Sequence, residues 1–253
     1  MSLSAKIAAE LDIKGAESMD TPLDVFLQRN LIAPHRKELM WSALAWLLFL
    51  GGFSLLMPLL GFHTNTEQGQ YTFQFAHELF SFITVLIVFY NFLYRSYCKL
   101  TKLLTTALLG YLAMNGLSYF WELLLSFIPM KLNNLNQASI EASVHYEPLS
   151  MCFHTIIMAP FVEELLVRAG IFGPLCKKSP LLAYIVSMAV FSFLHIAGSI
   201  GAQPPLELMR SFLEYLPAGF MLGWAYQRTG SVWGSIALHS FCNAVSMFFI
   251  LRG

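Results

Sequence analysis

Residues Met40–Phe62 read MWSALAWLLFLGGFSLLMPLLGF, an apolar run without one charged side chain. Crossing the hydrocarbon core of a bilayer takes ~20 mostly apolar residues, so this run reads as a membrane span. Working outward from it, Ser179–Ile200 and Ser231–Leu251 are also free of Asp, Glu, Lys and Arg. Leu103–Met130 carries one acid, Glu122, and Phe73–Tyr94 carries His77 and Glu78 near its start. Pro148–Pro174, with Glu163, Glu164 and Arg168, and Ser211–Gln227, with Glu214, are the weakest by hydropathy. These segments predict an all-α polytopic membrane helix bundle with seven to eight transmembrane helices.

Composition supports that class and excludes others. The 253 residues are 57% hydrophobic and 12% charged, against about 25% charged in a typical soluble domain. Fifteen basic and fifteen acidic residues cancel, which leaves no basic stripe for nucleic acid. The expected partners are the lipid bilayer and a membrane-associated molecule. Cys98, Cys152, Cys176 and Cys242 lack CxxC or zinc-finger spacing and read as small buried hydrophobes. Residues 1–38 are polar and charged, so the first apolar run reads as a retained span rather than a cleavable signal. They form an N-terminal extension, with Ala5–Ile13 and Leu23–Leu31 as short cytoplasmic or interfacial helices, ahead of one transmembrane domain over 39–253.

The basic residues set the orientation. With the N-terminus cytoplasmic, the inner segments hold Lys6, Lys14, Arg29, Arg36, Lys37, Arg95, Lys99, Lys102, Lys177, Lys178 and Arg228, and the outer ones only Lys131, Arg210 and Arg252. The protein is therefore expected to be integral and multi-pass. Lys131–Glu147, rich in Asn, Ser and Glu, reads as a solvated connector.

Chemistry concentrates where charge enters the apolar spans. A charge at the bilayer centre costs ~2.5–3.5 kcal/mol even on lenient scales, so Glu163, Glu164 and Arg168 need a reason. On a helix, Glu164 and Arg168 share a face at i,i+4, which aims Glu163 elsewhere. A structural ion pair explains two of the three and leaves Glu163 over. His195 lies in one further span, and His239 and Asn243 lie at i,i+4 in the last. A lone histidine in such a helix is usually a packing residue. Two of them with an amide and a spare carboxylate mark a functional site. Pro160 should kink its helix beside the acidic pair and free backbone groups there.

The string Ala159-Pro160-Phe161-Val162-Glu163-Glu164-Leu165-Leu166-Val167-Arg168 resembles the EExxxR motif of the CPBP family, the CAAX proteases and bacteriocin-processing enzymes also called Abi. Phe191–His195 resembles its FxxxH motif, and His239-Ser240-Phe241-Cys242-Asn243 its HxxxN motif. Gly219-x-x-x-Gly223 and Arg228–Trp233 are also similar to family members. The resemblance covers about residues 148–251. It implies an intramembrane endopeptidase acting on a membrane-anchored protein or peptide. By similarity Glu163 and His195 would activate a water, His239 and Asn243 would stabilise the oxyanion, and Glu164 and Arg168 would support the site.

Metal use stays open on sequence alone. Glu163, His195 and His239 are zinc ligands by type, but the HExxH signature is missing, since His77-Glu78-Leu79-Phe80-Ser81 lacks the second histidine. The family has been viewed both as metalloproteases and as glutamate-type proteases. An aspartyl mechanism has no membrane aspartates to use, because every Asp lies within residues 1–38. A non-catalytic scaffold or a proton-coupled transporter would use the same buried cluster, although no inverted repeat is visible.

Overall fold

The computed structural model describes residues 31–62, 64–127 and 134–252. The expected helices Ala5–Ile13 and all but the last residue of Leu23–Leu31 lie outside that range. The described residues contain helices and turns and no strand. In chain order the helices are α1 (Arg36–Leu60), α2 (Glu67–Arg95), α3 (Leu100–Leu125), α4 (Leu135–Tyr146), α5 (148–176), α6 (Pro180–Ile196), α7 (Pro205–Glu214), α8 (Leu216–Thr229) and α9 (Val232–Ile250). Local chemistry sets their starts. The side chains of Thr66, Asn134, Ser179 and Ser231 accept from backbone N–H groups of α2, α4, α6 and α9, and Pro148 and Pro180 occupy first turns where no amide donor is needed.

Five helices, α1, α2, α3, α6 and α9, are long and apolar enough to cross a membrane. The expected count of seven to eight is not reached on that measure, for two reasons. Ser211–Gln227 is divided at Tyr215 between α7 and α8, and the 14 residues of α8 rise only about 21 Å at ~1.5 Å each, short of a ~30 Å core. Pro148–Pro174 becomes α5, in which Glu163, Glu164 and Arg168 interrupt the apolar run; its α-helical turns alternate with π-helical segments at His154–Met158 and Glu164–Phe172.

α5 is the axis of the bundle. Glu164 to Ala169 are all buried, and α5 touches α1, α2, α6, α8 and α9. Val162, Leu165, Leu166 and Phe172 pack with Phe89 and Phe92 of α2 and Tyr226 of α8. Gly219 and Gly223 let α8 approach closely: a Cβ on Gly219 would lie 3.0 Å from the Met188 backbone, and one on Gly223 3.0 Å from the Tyr184 ring and 3.1 Å from Phe172. Leu47, Leu50, Leu55 and Leu59 of α1 and Leu104 and Leu112 of α3 face outward. Such contiguous apolar surface suits lipid rather than water. The protein is an integral membrane protein.

The two ends of the bundle differ. At one end Lys102 donates to the Thr229 carbonyl at 3.0 Å, Trp233 to the Leu93 carbonyl at 3.0 Å, and Arg95 pairs with Glu38 at 2.8 Å. The helix order puts Lys99, Lys177, Lys178 and Arg228 at this same end. Residues 31–38 dock here too, with the Ile32 amide donating to the Gly230 carbonyl at 2.9 Å. At the opposite end Arg210 of α7 pairs with Glu122 of α3 and donates to the Leu125 carbonyl. The sequence read residues 131–147 as a solvated connector; residues 135–146 instead form α4. Asn134 caps it, its Oδ1 accepting from the Gln137 amide at 3.0 Å, and the helix is tied to the bundle through Asn134, Asn136 and Tyr215. Its polar face suits a wet cleft, which is why hydropathy missed it.

Candidate active site

The half of the bundle away from the lysine- and arginine-rich end contains a cavity of about 290 Å³. Glu163 of α5, His195 of α6, and His239 and Asn243 of α9 all line it. Glu164 and Arg168 do not. They lie behind the wall, both fully buried, and form the ion pair expected of i,i+4 neighbours, with Nη1 3.2 Å from Oε1. Arg168 also donates to the Gly219 carbonyl at 3.0 Å and stacks 4.5 Å from the centre of the Phe191 ring. This places a guanidinium between α5, α6 and α8, where one side chain satisfies a carboxylate, a carbonyl and an aromatic face.

The same carboxylate holds the first histidine of the third motif. His239 Nδ1 lies 3.0 Å from Glu164 Oε1. With Glu164 ionised beside Arg168, Nδ1–H is the donor, so Nε2 is the atom left for the cavity. His195 is fixed by its own helix. Its Nδ1 lies 2.9 Å from the Phe191 carbonyl one turn earlier, which can only accept. Nε2 is thereby aimed at Glu163, 3.8 Å from Oε2. That is too long for a direct hydrogen bond and a separation that a single water oxygen can bridge. Glu163 Oε2 has no hydrogen-bond partner among the described residues.

Pro160 acts through the backbone, though not as a simple kink. The Ala159 amide bonds to the His154 carbonyl, five residues back, and Pro160 has no amide to offer. The Thr155 carbonyl therefore loses both donors that the following turn would supply. Asn243 takes their place, donating from Nδ2 at 2.7 Å. An amide nitrogen carries two hydrogens, so one ties α9 to the irregular turn of α5 and the other remains available.

Several lining residues escaped sequence reasoning. Tyr215 stacks on His195 at 4.3 Å between ring centres, opposite Phe191 at 4.4 Å. Its hydroxyl donates to Asn134 Oδ1 and accepts from Asn136, both at 3.2 Å. His154 and Glu78 also line the cavity. Spacing gives no sign of Tyr215, and the polar cluster Asn134–Gln137 was the available hint. No three His, Cys, Asp or Glu side chains among the described residues group as metal ligands, although Glu163, His195 and His239 border one cavity.

Residues 145–245 match the family model Type II CAAX prenyl endopeptidase Rce1-like. That stretch holds all three motifs, and it supplies α5, α6, α8 and most of α9, the helices that build the cavity wall. The match agrees with the CPBP resemblance carried by the motifs. No curated protein and no solved structure matches the chain. The Rce1-like stretch accounts for Glu163, His195, His239 and Asn243, whereas Glu78 and α4 reach the same cavity from outside it.

Proposed function

We propose that the protein is an intramembrane endopeptidase that hydrolyses a peptide bond of a membrane-associated protein, by a water activated between Glu163 and His195. The observation that supports this most directly is the 3.8 Å separation of Glu163 Oε2 and His195 Nε2 across a cavity also lined by His239 and Asn243. Glu163 takes the proton from the water as its oxygen attacks the scissile carbonyl. A positioned base of this kind contributes ~10²–10⁴-fold. His239 and the second Asn243 N–H then donate to the oxyanion, His239 as the imidazolium, with Nδ1–H on Glu164 and Nε2–H in the cavity. One such donor is worth ~10²–10³-fold. Glu164 and Arg168 hold His239 and the α5 backbone in register.

We read the reaction as using no resident metal, because no three ligand-type side chains among the described residues group together, so purified active protein should contain less than one equivalent of zinc by elemental analysis. Reversible loss of activity on chelation, with one equivalent bound, would reverse that part of the reading. We also keep the N-terminus and the cationic end on the cytoplasmic side. The cavity lies in the other half of the bundle, so this orientation decides from which face a substrate enters.

Comparison of membrane proteomes from cells making wild-type or Glu163→Ala protein tests the function and requires no identified substrate. One precursor should accumulate with the variant. Full biological function in the Glu163→Ala cells would point instead to a scaffold or transporter.

A further inference from the structure

Glu78 belongs to α2, outside the Rce1-like stretch and outside every motif. It lines the cavity of Glu163, His195, His239 and Asn243 and also an adjoining cavity of about 500 Å³ with His77, Asn136 and His154. No Lys or Arg pairs with it among the described residues, and Glu163 borders the same cavity. The groups that face it are few. α5 presents His154 and Glu163, α4 presents Asn136, and the far cavity wall presents His195 and His239. From α1 comes Phe49, the charged Glu38 of that helix being held by Arg95 at the other end. Arg168 is engaged with Glu164 and the Gly219 carbonyl.

Two carboxyl groups bordering one low-dielectric cavity disfavour each other's ionisation, because each charge raises the cost of the other. Glu163 has the His195 imidazole 3.8 Å away, whereas no ion pair of Glu78 is found among the described residues. The proton therefore resides on Glu78. We propose that Glu78 is the second catalytic carboxyl of this cavity, held neutral until it gives its proton to the leaving amine. The assignment rests on the endopeptidase reading above.

The steps balance. Glu163 accepts one proton of the attacking water, and the new C–O bond turns the carbonyl into a tetrahedral oxyanion. Glu78 then gives its proton to the amide nitrogen as the C–N bond breaks, the oxyanion closes to a carboxylic acid, and a free amine departs. Transfer of the proton from Glu163 to Glu78 through cavity water restores both groups. One water and one peptide bond become one acid and one amine.

Two measurements on the purified full-length protein test this. The first is infrared spectroscopy of the carbonyl stretch of protonated carboxylic acids at neutral pH. A band should be present in the wild type, persist in Glu122→Gln and vanish in Glu78→Gln, which keeps the size of the neutral acid. A band unchanged by Glu78→Gln overturns the assignment. The second compares a farnesylated CAAX-type peptide in detergent with its counterpart bearing an ester at the scissile bond. An alkoxide can leave before it takes a proton from water, whereas an amide nitrogen must be protonated as it leaves, so Glu78→Gln should slow amide cleavage by ~10²-fold or more and ester cleavage by only a few-fold. Glu163→Gln should slow both. Equal effects of Glu78→Gln on amide and ester would remove the proton-donor role while the function stands, and full cleavage by Glu163→Gln would remove the function itself.

Discussion

Removing the Arg168 guanidinium would leave Glu164 as an unpaired carboxylate with no solvent access, and breaking one side of a buried pair typically costs ~3–5 kcal/mol. Arg168→Ala should therefore lower the thermal midpoint of the purified protein well before any question of chemistry arises. Wild-type stability and activity in that variant would contradict the pairing. Asn243→Ala is different: it strips the donor from the Thr155 carbonyl and one cavity-facing N–H, so turnover should fall by ~10²–10³-fold in steady-state assays. The residues of both effects were legible in the sequence because i,i+4 spacing and charge in an apolar span are local signals. The histidine partners were not. That His239 would face Glu164, and not Glu163, depends on the packing of α9 against α5, which no spacing encodes. Phe191 reads as a motif marker, yet its ring touches His195, His239 and Arg168 at once.

Among the elements, α5 carries the site by being irregular. Pro160→Ala would return an amide hydrogen to the turn that now leaves Thr155 to Asn243. The helix should then recapture that carbonyl and shift Glu163 relative to His195. Misplacement of reacting groups by about 1 Å can cost ~10²-fold, so activity should drop while the melting temperature holds or rises. An equally active Pro160→Ala protein would show that the π-helical turns are incidental. Hydropathy located α1, α2, α3, α6 and α9 because lipid-facing helices are apolar around most of their surface. It failed for α4, whose polar residues serve a cleft, and for 211–227, where Pro217 in the first turn of α8 has no amide for the Leu213 carbonyl, which accepts from Trp121. Tyr215→Ala should loosen the His195 ring and reduce turnover more than Tyr215→Phe, which keeps the stack; kinetics of the two variants separate ring from hydroxyl.

Across the whole molecule, ion pairs outside the cavity should matter for assembly and not for turnover. Glu122, which the sequence shows alone in its span, in fact pairs with Arg210 and so joins α3 to α7. Glu122→Gln should leave turnover within a few-fold while making the bundle easier to unfold in detergent. The cationic end, built from α1, α2, α3, α5, α6, α8 and α9 together, should face the cytoplasm, and reporters fused after residue 38 would detect the reverse. We read the whole bundle as one hydrolytic scaffold around Glu163. The most direct measurement of that claim is the rate at which purified Glu163→Gln protein cleaves the precursor that accumulates in variant cells, beside the wild type at equal concentration. The account predicts a fall of ~10²–10⁴-fold with unchanged folding; cleavage at the wild-type rate would contradict it.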